Sequence, residues 1–95
     1  MIEKNLIVPN PLGLHARAAA KLVHTASRFK AKLLIEKDHQ TVNGKSIMGI
    51  LLLAAGQGTR LRFVFDGPDE AVASAAVFEL VDRGFGELPP REEHA

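Results

Sequence analysis

The sequence predicts a two-layer α+β sandwich, with helices on one face of a largely antiparallel sheet. Segments that alternate apolar and polar residues are interleaved with segments of helical period, in the order β-α-β-β-α-β-α. Only Asp38 and His39 separate the second strand from the third, so these two form a hairpin and run antiparallel. Ninety-five residues with an ordinary apolar fraction allow one domain around a single core. Helices that each bury one stripe on such a sheet give the two-layer arrangement.

Ile2 to Val8 is short, rich in Leu, Ile and Val, and stopped by Pro9, which marks a strand. Pro9, Asn10, Pro11 and Gly13 form a loop that resists regular structure. From Ala16 to about Arg28, Ala19, Leu22, Val23 and Ala26 fall on one helical face, with Lys21, Thr25 and Arg28 elsewhere. The alanines at 16, 18, 19 and 20 favour helix and make its start thin enough for close packing. Ala31 to Lys37 alternates, with Ala31, Leu33 and Ile35 inward, and Gln40 to Val42 is its hairpin partner. Asn43-Gly44 ends that strand, and Ser46 caps a short helix from Ile47 to Ala54 that Gly56 and Gly58 stop. Arg60 to Phe65 alternates with Leu61, Phe63 and Phe65 inward. Gly67-Pro68-Asp69-Glu70 signals a helix start with Asp69 as cap, and Ala73, Ala76, Val77, Leu80 and Val81 continue the pattern to Gly84.

Composition narrows the function classes. The net charge of +1 gives no field suited to nucleic acid, and Trp and Tyr, which stack on bases, are absent. Cysteine is absent too, which fits a reducing compartment and leaves no thiolate metal site. His24, His39 and His94 lack metal-ligand spacing, so neither a metal nor a cofactor is expected. The N-terminus lacks a signal peptide's basic and apolar regions, and the longest apolar run, Ile50 to Ala55, is too short to span a bilayer. A cytoplasmic protein without membrane insertion is the expectation. The segment after Gly86 combines two prolines with many charges and reads as a disordered tail, 87–95.

Two short motifs carry chemistry. Gly13-Leu14-His15-Ala16-Arg17 puts an imidazole at the start of a helix, where N–H groups without intrahelical partners point outward. Alone, such a histidine is simply a cap. Here the helix end favours the neutral ring, whose lone pair can attack phosphorus, and the same amides suit phosphoryl oxygens. Arg17 adds a charge-assisted donor. The second motif is Asn43-Gly44-Lys45-Ser46-Ile47-Met48-Gly49. Gly44-Lys45-Ser46 looks like the end of a P-loop, but that pattern needs glycine at position 39, where this chain has His39. Ser46 is a helix cap and a candidate phosphorylation site. The helix after it is apolar nearly all round; with Ile50, Leu53 and Ala54 inward, Ile47, Met48 and Leu51 face out as a docking patch.

These two motifs, with Ala19-Ala20 and Leu22-Val23 after the first, resemble HPr, the histidine-containing phosphocarrier family of the bacterial phosphoenolpyruvate-dependent phosphotransferase system. The likeness runs from the first strand through Gly86, so residues 1–86 are taken as the phosphocarrier domain. The resemblance implies an open-faced sandwich with strand order 1-4-2-3 and three helices on one face. It implies His15 as phosphoacceptor through Nδ1, Arg17 as the phosphate-stabilising residue, and Ser46 as a regulatory serine for an HPr kinase/phosphorylase. It further implies a monomer that docks enzyme I and the A-domains of enzyme II through a surface holding Ala16, Ala20, His24, Ile47, Met48 and Leu51, with no enzymatic turnover of its own. Many relatives have proline where this chain has Ala18; alanine also enters a helix easily, so a slightly looser site with its chemistry intact is expected.

The leading expectation is a carrier in sugar uptake. Two others stand beside it: a carrier for a nitrogen-related or purely regulatory branch, and a protein-binding module whose His15 is never phosphorylated.

Overall fold

The structure, a computed structural model, describes residues 1–87. Its elements are β1 (Ile2–Ile7), α1 (Ala16–Ala26), β2 (Lys32–Lys37), β3 (Gln40–Asn43), α2 (Ile47–Leu52), β4 (Arg60–Asp66) and α3 (Glu70–Asp82), followed by a 3-10 turn at Gly84–Gly86. The four strands form one antiparallel sheet in the order β1-β4-β2-β3, the order that the resemblance implies. In β4, Phe65 stands opposite Ile2 of β1 and Leu33 of β2, and Arg62 stands opposite Asn5 and Glu36. The hairpin closes at Lys37 and Gln40. Its two turn residues include Asp38 at φ 54, a left-handed conformation that aspartate tolerates.

Alternation along the strands explains the layers. Leu33, Ile35, Leu61, Phe63 and Phe65 are buried under the helices, while Lys32, Leu34, Arg62 and Val64 line the open face. Each helix brings a fully buried branched side chain to that core: Leu22 from α1, Ile50 from α2 and Val77 from α3. Ala18 and Ala19, both fully buried, keep α1 thin as it packs against α2 and α3.

Several expectations are corrected. The first helix ends at Ala26, short of Arg28, because the Arg28 and Phe29 N–H groups turn to the carbonyls of Thr25 and Ala26. The second helix ends at Leu52, and Ala54 is exposed, not inward. Ala54 adopts φ 50, the conformation that usually terminates a helix at glycine, and Lys37 Nζ donates to the freed Leu53 carbonyl at 2.9 Å. Leu51 is half-buried against the core, and Leu52 projects outward in its place. Asp69 makes no side-chain cap to its own helix; its two oxygens accept from the Lys30 and Ala31 N–H groups, each at 2.8 Å. The Gly67 N–H is taken by Glu70 instead, at 3.0 Å.

Glu87, assigned by composition to the tail, is tied into the fold. Its N–H donates to the Gly84 carbonyl at 2.9 Å, and its carboxylate reaches Asn10 and His15. Phe85 is the anchor: it is buried, and it takes φ 58 to turn inward while the chain reverses. The rest of the expected tail, 88–95, lies outside the described residues.

Candidate functional site

The loop that presents His15 is laced to the segment after α2. The Leu14 N–H donates to the Ala55 carbonyl and the Gly13 N–H to that of Asn10. Gly13 has φ 69, and a Cβ there would lie 2.5 Å from the Ala55 oxygen, so only glycine fits. Leu14 is buried and anchors the loop from below.

His15 is the N-cap of α1, with extended backbone (φ −76, ψ 179). Its carbonyl accepts the first intrahelical bond, from the Ala19 N–H at 2.8 Å. The N–H groups of Ala16, Arg17 and Ala18 therefore belong to the open first turn. The ring itself caps: Nδ1 accepts from the Arg17 N–H at 3.3 Å. The side chain is partly open, at 27% exposure. Arg17 is exposed and forms no ion pair among the described residues.

The other ring nitrogen, Nε2, contacts Oε2 of Glu87. Asn10, fully buried, uses one amide N–H for Glu87 Oε1 and the other for the Gly13 carbonyl, both at 2.8 Å. Burial alone pushes the Glu87 carboxyl up, but the bonds from Asn10 and His15, with the charge of His15 when protonated and that of Lys21, outweigh it and hold the group below its usual range. Lys21 also steadies the turn, donating from Nζ to the Phe85 carbonyl at 2.7 Å. A carboxylate only accepts and an N–H only donates. The neighbours of His15 thus fit the neutral tautomer with its proton on Nε2 and its lone pair on Nδ1.

Asn10 and Glu87 are site residues that sequence reasoning missed. Asn10 lies between two prolines and reads as turn chemistry, and Glu87 is one acidic residue in a charged stretch. A polar side chain that must be buried is the signal that could have singled out Asn10, but burial is not visible in the local pattern.

Beside His15, a groove of about 430 Å³ runs between α1 and α3, lined by Arg17, Ala20, Lys21, His24, Thr25 and Leu80. Ala16, Ala20 and His24 are exposed on α1. Ile47 and Met48, 40% and 68% exposed, lie on α2, which packs against α1. Ser46 caps α2, its Oγ accepting from the Gly49 N–H at 3.0 Å. No group of three potential metal ligands occurs among the described residues, and none of their helices is long and apolar enough to cross a membrane.

Comparison with known proteins follows the same lines. The family profile described as "PTS HPr component phosphorylation site" matches residues 2–83. Phosphocarrier protein HPr of Xylella fastidiosa (strain 9a5c) is 52% identical over 87 residues, covering 92% of this chain and 98% of that protein. The crystal structure of HPr-C-His from Thermoanaerobacter tengcongensis superposes with a TM-score of 0.90 at 43% identity, covering 94% of this chain and 100% of the other. Crh of Bacillus subtilis, a catabolite repression protein described as a swapped dimer, superposes with a TM-score of 0.70 at 36% identity, covering 95% and 100%. The strand order, the helices on one face and the matched sequence agree: this chain belongs to the HPr family of phosphotransferase-system phosphocarriers, which are carriers and not enzymes.

Proposed function

We propose that this chain carries a phosphoryl group on Nδ1 of His15, taking it from phosphorylated enzyme I and giving it to enzyme II A-domains in phosphoenolpyruvate-dependent sugar uptake. One observation supports this reading above the others: the two ring nitrogens have neighbours of opposite character, a donor at Nδ1 and a carboxylate at Nε2. The Nδ1 lone pair attacks phosphorus, the N–P bond forms, and the bond to the donor breaks with its electron pair leaving on the donor. The Nε2 proton stays in place against Glu87. The Arg17 N–H, released from Nδ1, turns to a phosphoryl oxygen, with the first-turn amides and the Arg17 guanidinium beside it. A partly open site with one arginine holds the group moderately, as a carrier that must also release it requires.

The groove between α1 and α3, with the exposed Ile47 and Met48 nearby, supports docking of both partners at one surface. Ser46 is the proposed regulatory position, where an HPr kinase/phosphorylase would add charge at the edge of that surface. The proposed working unit is a monomer in the cytoplasm, a state that sedimentation analysis checks.

The decisive experiment is phosphorus NMR after incubation with enzyme I and phosphoenolpyruvate. An acid-labile signal from phosphate on Nδ1, absent in His15→Ala, is expected. Acid-stable label, or label that survives His15→Ala, rules the mechanism out.

A further inference from the structure

We infer that Glu87, oriented by Asn10, is a positioning residue for His15: the pair selects which ring nitrogen carries the proton and so leaves Nδ1 as the nucleophile. Only its kinetic consequence rests on the phosphocarrier reading above.

The Asn10 side-chain nitrogen faces two acceptors, the Gly13 carbonyl and Glu87 Oε1. Turning the amide over would set its oxygen against both, so its orientation is fixed by its neighbours. Asn10 Oδ1 is the buried side-chain atom without a partner among the described residues, a cost the loop bears to keep the nitrogen where it is. Glu87 receives Asn10 on one oxygen and offers the other to His15 Nε2. An acceptor at Nε2 requires the proton there, and the Arg17 N–H at Nδ1 makes the same demand from the opposite side. The chain that sets the tautomer is therefore Asn10 to Glu87 to His15. Its last link comes from a turn anchored by Phe85 and clamped by Lys21, more than seventy residues away in sequence (|i−j| = 72).

Directionality yields a test that a packing role would not pass. In Glu87→Gln the amide oxygen must accept from Asn10, which leaves the glutamine nitrogen, a donor, facing Nε2. The proton is then drawn to Nδ1, against only the long 3.3 Å contact from the Arg17 N–H, which must give way. Removing the Asn10 constraint as well, in Asn10→Ala/Glu87→Gln, frees the glutamine to turn its oxygen to Nε2–H and restores the original form. Long-range proton–nitrogen NMR of the His15 ring in the full chain, at mildly alkaline pH, reads this directly. Wild type is expected to show Nε2 as the protonated nitrogen, Glu87→Gln to exchange the two signals, Glu87→Ala to show a mixture, and the double variant to return to the wild-type pattern. Phosphoryl uptake from enzyme I should fall in Glu87→Gln in proportion to the loss of rings with a free Nδ1 lone pair, and recover in the double variant. A wild-type ring protonated on Nδ1, or a Glu87→Gln ring unchanged from wild type, overturns the inference. A wild type with the expected nitrogen pattern that takes up no phosphate overturns the carrier reading while supporting the positioning role.

Discussion

At the scale of residues, two positions of different kinds shape the candidate site. Arg17 is exposed and without an ion-pair partner among the described residues, so its removal should cost folding little, and its proposed role is in the transfer step. A hydrogen bond to a charged group is worth about 1.5–3 kcal/mol. Arg17→Ala should therefore slow phosphoryl uptake about ten- to a hundredfold in a labelled-phosphate assay, with the urea midpoint unchanged. Arg17→Lys should recover part of that rate, since the charge remains and the forked geometry does not. Gly13 shows the opposite balance. Its φ of 69 and the 2.5 Å approach of the Ala55 oxygen leave no place for a methyl group. The left-handed conformation alone costs an L-residue about 1–2 kcal/mol, so Gly13→Ala should lower thermal stability by at least that and displace His15 as the loop lifts. Arg17 and Gly13 stand beside His15 in the sequence motif itself, so that part of the candidate site was legible before any fold. Asn10 and Glu87 were not, because their roles arise from burial and from a contact across nearly the whole chain.

At the scale of elements, helix ends decide most of the differences between pattern and structure. The alternation in β2 and β4 and the apolar face of α1 were readable because each has a buried side with a fixed period. Ends follow no such period. α2 stops at Leu52 because Ala54 turns left-handed and Lys37 supplies a donor from the neighbouring hairpin, a tertiary contact that glycine positions in the sequence could not announce. Ala54→Gly is expected to stabilise the protein by about 0.5–1 kcal/mol, because the strain it relieves exceeds glycine's added chain entropy. A rise in the urea midpoint would show it. Ser46→Ala should act in the other direction and cost about 1 kcal/mol by stripping the cap from Gly49. α3 carries a related lesson. Its expected cap, Asp69, spends both oxygens on the loop between α1 and β2, so one carboxylate joins two elements that the sequence places 38 residues apart.

At the scale of the whole molecule, those tertiary carboxylates give stability a pH dependence. The bond from the Lys30 N–H, aided by that of Ala31, holds the Asp69 carboxyl below its usual range, and the N-terminal ammonium and the Gly67 N–H do the same for Glu70. Glu87 is lowered as well. A lowered folded-state value means that the unfolded chain binds the proton first as pH drops. The three contributions are complete above the ordinary carboxylate range, and are lost as pH falls through about 4 and on toward the lowered values. Denaturant midpoints followed from neutral to acid pH should decline over that window. Asp69→Asn should make the decline shallower while lowering stability at neutral pH. The sheet adds a consequence for how the protein is made. β1 is synthesised well before β4, its neighbour in the sheet among the described residues, and before the Ala55 carbonyl that the His15 loop bonds. A chain cut short before residue 55 has neither. Translation thus imposes its own quality control, because only molecules read through β4 can both close the sheet and seat the imidazole.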